Sequence, residues 1–323
     1  MMEPKQIIES IKAERPEIRT LYFVGCGASS SEQYPAQYFM DCNAKVLRTG
    51  FYTANEFNYA TPAALDESAI VIACSLGGNT PETVESAKLS RERGAKVIAV
   101  THDANSPLAQ NADYVIVHGF EKNYAAKLEK MNNILMLAVE VLNQYEGYDH
   151  YEDMVKGYQN IYEAIENAVS FVTPSARKFA EDYKDAPVIY VMSSGATQKV
   201  AYSFSICLLM EMQWINSGSF HDGEFFHGPF EIVDKDVPFL LFMNEGRTRK
   251  MDSRALDFLN RFGAKTTVVD AKDYGLSSYV PGCVAEYFSP MIITGVVRVY
   301  AEQLAIVRNH PLSQRRYMWK LDY

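Results

Sequence analysis

The chain has 323 residues, 48% of them hydrophobic and 22% charged, and a formal net charge of −9. That length supports two cores of ordinary size. The acidic balance argues against a nucleic-acid partner held on a basic surface, and no unbroken apolar run reaches the roughly 18 residues of a membrane helix. The opening MMEPKQIIESIKAERPE is charged from the start and lacks the apolar core of a signal peptide, so a cytoplasmic protein with no membrane association is expected. Cys26, Cys42, Cys74, Cys207 and Cys283 are scattered and odd in number. They fit neither a disulfide framework nor a zinc cage and read as reduced core thiols.

In chain order, LYFV (21–24), IVIAC (70–74), VIAV (97–100) and YVIV (114–117) alternate with helical patterns such as PETVESAKLSRERG. Apolar strands alternating with amphipathic helices predict a parallel sheet covered on both faces. Thr80, Pro81 and Glu82 mark one helix start as N-cap, first helical residue and first-turn acid, and Gly94 marks its end. The stretch from about 125 to 185 reads as helical, with its polar part a surface hairpin of helices. The pattern then restarts: VIYVM (188–192) leads into SSGATQ as LYFV leads into GCGASSSE. PFLLFM (238–243), a helix over about 250–262 and TTVVD (266–270) follow. Two related α/β domains are expected, 1–150 and 151–323.

Two turns stand where a strand hands over to a helix. GCGASSSE lacks the third glycine of a dinucleotide fingerprint, since Ser30 holds that place, and neither turn has the Gly-Lys-Ser/Thr of a P-loop. In SLGGNTPE, Ser75, Gly77, Gly78 and Thr80 precede a helix N-terminus suited to a phosphate. Together the two turns would hold a phosphomonoester without any lysine; each alone is also explained by turn and capping chemistry. In VAYSFSICLLMEMQWIN (200–216), apolar on nearly every side, Glu211 is the one charged residue. A buried carboxylate must find a donor, hold a proton or border a cavity, which makes it either a general base or a satisfied core acid. In FHDGEFFHGPFE (220–231), His221 and His227 lack zinc-ligand spacing. An acid/base pair and a packed loop with incidental polar residues both remain open there.

The segment EMQWINSGSFHDGEFFHGPFEIV, with Glu211 sixteen residues before His227, resembles the second sugar isomerase (SIS) domain of aldose-ketose isomerases related to glucosamine-6-phosphate synthase. ACSLGGNTPET and VGCGASS resemble the phosphate loop and hydroxyl-bearing turn of the first domain. With the ending HPLSQRRYMWKLDY, the chain looks most like bacterial deglycases of 6-phosphorylated fructosamines. The resemblance implies two tandem SIS domains, each a parallel sheet flanked by helices, and a homodimer with active sites near the subunit interface. By the same likeness, Glu211 is the base between C1 and C2 and His227 a second acid/base. Ser29, Ser75 and Thr80 fall on phosphate-binding positions, Lys320 on a tail lysine, and Glu224 beside the substrate or bracing the loop. No metal or organic cofactor is implied. Gly77 stands where the synthase loop has Ser, which removes one phosphate contact. Competing readings are a plain sugar-phosphate isomerase or synthase-like enzyme, and a non-catalytic sugar-phosphate sensor.

Overall fold

The computed structural model describes residues 2–120 and 123–322. They form two compact units, Met1–Tyr162 and Glu163–Tyr323. The division falls inside the helix Tyr151–Phe171 rather than before it, as the 150/151 expectation had it. That helix is continuous and not a hairpin: Ile161, Ala164, Ile165 and Ala168 are fully buried at the spacing of one apolar stripe.

In the first unit β1 (Thr20–Gly25), β2 (Arg48–Thr53), β3 (Ala69–Cys74), β4 (Lys96–Thr101) and β5 (Tyr114–Val117) form one parallel sheet in the order β2-β1-β3-β4-β5. In the second, β6 (Val188–Ser193), β7 (Asn216–His221), β8 (Pro238–Met243) and β9 (Lys265–Asp270) are parallel in the order β7-β6-β8-β9. Each sheet therefore places its second strand on one side of the first and its third on the other. This reversal opens a crevice beyond the carboxyl ends of the two central strands. The expected pair of parallel α/β layers is what the chain builds. Strands β1, β3 and β8 are buried along their whole length, which accounts for their unbroken apolar sequence.

Two of the edge strands, RTGFYT and NSGSFH, carry too much polar character to read as strands from sequence. Each stacks a glycine against a tyrosine of the neighbouring strand, with Tyr22 paired to Gly50 and Tyr190 to Gly218. A Cβ on Gly50 would come within 2.5 Å of the Tyr22 ring, whereas one on Gly218 would lie 3.3 Å from the Tyr190 ring. The repeat thus extends to a packing detail.

The helix Pro81–Glu92 begins and ends where the sequence places it, with Gly94 left-handed at φ 88°. The run 200–216 differs from a single helix: after Gln198–Ser203 it widens into a π-helical segment, Phe204–Met212. Ala285–Val307 is long and apolar enough by composition to cross a membrane when read as a window rather than as an unbroken run. In this fold it packs along Thr173–Tyr183, and 67% of its most apolar window is buried.

The crevice of the second unit is filled by the chain itself. Asp252 is fully buried and accepts from the Ser194 hydroxyl, from the Asn244 backbone N–H at 3.1 Å and from the Asn244 amide at 2.9 Å. Asp222, 2% exposed, is tied by its N–H to the Ser193 carbonyl at 3.0 Å and faces Asp252. Burial, reinforced by Asp252, holds the Asp222 carboxyl protonated well above the usual carboxylate range, and burial also raises Asp252. Asp222 is the last anchored residue before the turn that carries Glu224 and His227.

Two outcomes follow from this packing. Gly50→Ala is expected to cost about 1–3 kcal/mol and Gly218→Ala less than about 1 kcal/mol. Equal losses in thermal or urea unfolding would contradict the asymmetry between the two tyrosine contacts. The buried acids give a pH signature. Their folded-state affinities for protons are raised, so the stability they contribute is fully present below the unfolded value of about 4 and is lost as pH rises through the folded values. Asp222→Asn is therefore expected to match wild type in strongly acidic solution and to become the more stable protein toward neutral and alkaline pH. Unfolding free energies that differ by the same amount at every pH would remove the basis for this expectation.

Candidate functional site

Ser29, Ser75 and Thr80 stand at the carboxyl ends of β1 and β3, which pair level at Gly25 and Cys74. Ser29 lies on the short helix Gly27–Ser31, which Gly27 opens at φ 54°. Thr80 occupies the N-cap place of the next helix, but its hydroxyl does not cap it; it lies 2.9 Å from the Ser75 hydroxyl. The loop between them turns at Gly78, left-handed at φ 67°, where a Cβ would fall 2.1 Å from the Ser106 hydroxyl. Only glycine allows that approach. The structure thus brings Ser75 and Thr80 into one loop, with Ser29 on the loop of the adjacent strand.

A lysine is nonetheless present, contrary to the expectation of two loops without one. Lys130, on the helix Tyr124–Tyr145 and 4% exposed, lies 3.2 Å from the Ser29 hydroxyl and 2.6 Å from the Glu32 carboxylate. Its sequence signal was its place four residues after Ala126 and four before Ile134, both buried, which puts a cation on the inward stripe of a helix. Around it, burial keeps the His118 imidazole neutral, down to about 4, and pushes the Cys74 thiol up to about 12. Neither group titrates near neutral pH. This end of the sheet offers hydroxyls, turn N–H groups and one paired ammonium, a donor set for an oxyanion and not for a nucleophile.

In the second unit Glu211 stands next to last in the π-helical segment. Its side chain is 21% exposed, not deeply buried as the apolar run suggested, and it is paired with Arg315 at 2.7 Å. The chain leaves the helix through Trp214, a bulky residue at φ 56°, a conformation that strains the backbone. The C-terminal tail offsets that strain. His310 packs edge-on against Trp214 at 4.4 Å between ring centroids, the Arg316 guanidinium lies 4.2 Å over the same ring, and the Gln213 amide donates to the His310 carbonyl at 2.7 Å. A cavity of about 530 Å³ opens here, lined by Glu211, Trp214, Arg315, Arg316 and Tyr317 among others. Lys320 belongs to the same tail, where its ammonium donates to the Arg315 carbonyl at 2.5 Å. Arg315 is a site residue that spacing alone did not reveal; it lay in the same terminal segment as Lys320.

His227 and Glu224 sit in the turn after β7, both exposed, and the His227 N–H donates to the Glu224 carbonyl at 2.9 Å. His221 has a local duty: its ring accepts from the Gly223 N–H at 2.9 Å. Phe225 packs on Met192, Phe239 and Leu241, while Phe204 of the π-helical segment packs on Phe242. Successive side chains of a strand point to opposite faces, so the segments that bear Glu211 and His227 lie on opposite faces of the sheet. Among the described residues no hydrogen bond or ion pair joins Glu211 to His227.

Comparison with known proteins fits this geometry. Residues 17–138 match the SIS domain family. Over 321 residues the chain is 40% identical to the fructosamine deglycase FrlB of Bacillus subtilis, covering 99% of this chain and 97% of that protein. It is 25% identical to the fructoselysine 6-phosphate deglycase of Escherichia coli K12 over 93% of this chain and 86% of that one. A phosphosugar isomerase candidate from Salmonella typhimurium LT2, 41% identical, superposes with a TM-score of 0.96 over 99% of this chain and 96% of that one. With two like-ordered parallel sheets and an end-to-end match of this kind, the chain belongs to the SIS domain family.

Proposed function

We propose that the protein is a deglycase that converts a 6-phosphorylated fructosamine, the Amadori product of an amino acid, and water into glucose 6-phosphate and the free amino acid. The observation that carries this reading is the 40% identity to a fructosamine deglycase along nearly the whole of both chains. The groups that each unit supplies support it. Ser75, Thr80, the neighbouring turn N–H groups and Ser29 take the phosphate, which serves as a remote handle that orients the reacting carbons. Lys130 adds charge behind Ser29. Glu211, half-buried beside a cavity, abstracts the C1 proton; the C1–H electrons form the C1–C2 double bond and the C2 carbonyl becomes an enol. Return of a proton to C2 gives the C1 imine, which water hydrolyses.

His227 is the second acid/base, assisting ring opening. Because it lies on the sheet face opposite to Glu211, the reading requires a homodimer in which Glu211 of one chain and His227 of the partner subunit serve one substrate. Glu224 braces the His227 turn, and Lys320 acts through the tail turn it ties to Arg315.

Glucose 6-phosphate released from a panel of phosphorylated Amadori compounds, followed with a coupled dehydrogenase, is the direct test. An isomerase would interconvert sugar phosphates without releasing an amine. Glu211→Gln is expected to lose at least roughly 100-fold in kcat with its fold intact, and His227→Ala to be similarly impaired. Mixing the two inactive variants should restore activity, because one of the two sites in each mixed dimer then has both native groups. Activity that stays absent on mixing, with mixed dimers demonstrated, would rule out the shared site.

A further inference from the structure

Arg315 stands out among the charged groups of the second unit. It is 7% exposed, yet it comes from the C-terminal tail and not from a helix or strand of the core. Its guanidinium is held from two sides: Nη1 donates to the Leu312 carbonyl at 2.6 Å and the Gln314 carbonyl at 2.9 Å, and Nη2 lies 2.7 Å from the Glu211 carboxylate. The Nε–H is buried and has no partner. An orphaned buried N–H is costly, and Arg15 and Arg308 carry one as well, but neither of those lines the cavity. At Arg315 the orphan sits on a guanidinium that is ion-paired with Glu211, in a side chain that lines the cavity beside it, and it reaches a ligand once the atoms covering it shift. Two backbone carbonyls fix the plane of the group, so the unused donor has a set direction.

We propose that Arg315 is a further functional residue of this site, holding the Glu211 carboxylate through Nη2 and offering Nε–H to the substrate oxygen at C2, where negative charge develops. The proposal rests on the deglycase reading above. In the step it serves, Glu211 takes the C1 proton, the C1–H electron pair becomes the C1–C2 π bond, and the carbonyl π pair moves onto O2. That oxygen passes from a neutral carbonyl toward an enolate until it is protonated. A fixed donor that meets O2 more strongly as its charge grows lowers the barrier without tightening ground-state binding. The base that removes the proton and the donor that receives the displaced charge are thereby locked to each other, and the tail turn that carries Arg315 is secured by the Lys320 ammonium and the stacking of Arg316 on Trp214.

The test measures exchange of the C1 proton with solvent deuterium on a ketosamine 6-phosphate, alongside net deglycation, for wild type, Arg315→Met and Arg315→Lys. Calorimetric binding of inorganic phosphate and thermal unfolding report on the fold. Arg315→Met is expected to lose roughly 100-fold or more in exchange, with kcat falling far more than KM changes and phosphate affinity unaltered. Added guanidinium ion should restore part of the loss. Arg315→Lys, which keeps a charge but not the fork, should fall between the two. If Arg315→Met exchanges within about threefold of wild type, if Arg315→Lys equals wild type, or if a folded Arg315→Met gains nothing from guanidinium, the assignment is wrong while the deglycase reading stands. A wild-type protein that neither exchanges the proton nor releases amine overturns both.

Discussion

Parallel pairing is the constraint on which the rest of this structure depends. Strands that all run one way cannot be joined by tight turns, so each is followed by a crossover that packs on one face of the sheet. When the second strand is laid on one side of the first and the third on the other, the crossovers leaving the two central strands part to opposite faces. The loops at their carboxyl ends are then the ones not covered by a helix. In the first unit these are the loops of Ser29 and of Ser75 to Thr80. Their small residues follow from that position: Gly78 is required because Ser106 leaves no room for a Cβ, and the Ser75 and Thr80 hydroxyls bond to each other across the turn.

The second unit uses the same topology in a different way. Its most polar machinery lies at the end of the helix that precedes β7, where a π-helical segment and a left-handed Trp214 shift the backbone out of regular geometry. π-turns and strained dihedrals persist only where surrounding contacts over-determine them. Those contacts come from residues 308–320, which bring three arginines, a histidine and a lysine to a segment whose own sequence supplies a single charge. The apolar helix and the basic tail are thus complementary, and neither has a full physical account without the other.

This division sets what sequence reading reaches. Buried strands such as AIVIAC and PFLLFM announce themselves because both faces are covered. The helix start at Thr80 and Pro81 is equally plain, since N-terminal preferences are local. RTGFYT and NSGSFH were not legible: an edge strand owes its conformation to one neighbour, and in both cases that neighbour's tyrosine lies over a glycine that by itself signals a turn. Among the site residues, the hydroxyl turns and the Glu211 to His227 spacing are sequence patterns. Arg315 is not, and Lys130 shows in the sequence only as a cation on an inward stripe, because each meets its partners about a hundred residues away in the chain. The burial of Glu211 was overread for the same reason: an apolar composition around a carboxylate says nothing about an arginine that folds back to meet it.

The duplicated crevices also show why a site of this kind is binary. A loop of backbone N–H groups and hydroxyls at a helix start is a set of donors, and donors shut off from water need acceptors. In the second unit the chain supplies them. Asp252 accepts from Ser194 and twice from Asn244, and Glu286 accepts from the Arg247 N–H at 3.2 Å and from its guanidinium. Gly246 has no space for a side chain because the Glu286 carboxylate occupies it. An internal anion placed there makes the crevice self-sufficient and closes it to an external one. In the first unit the corresponding loop has its two hydroxyls bonded to each other and the nearby ammonium paired with Glu32. Donors joined in that way exchange partners at small cost, so this crevice, unlike the other, is not closed to an external anion.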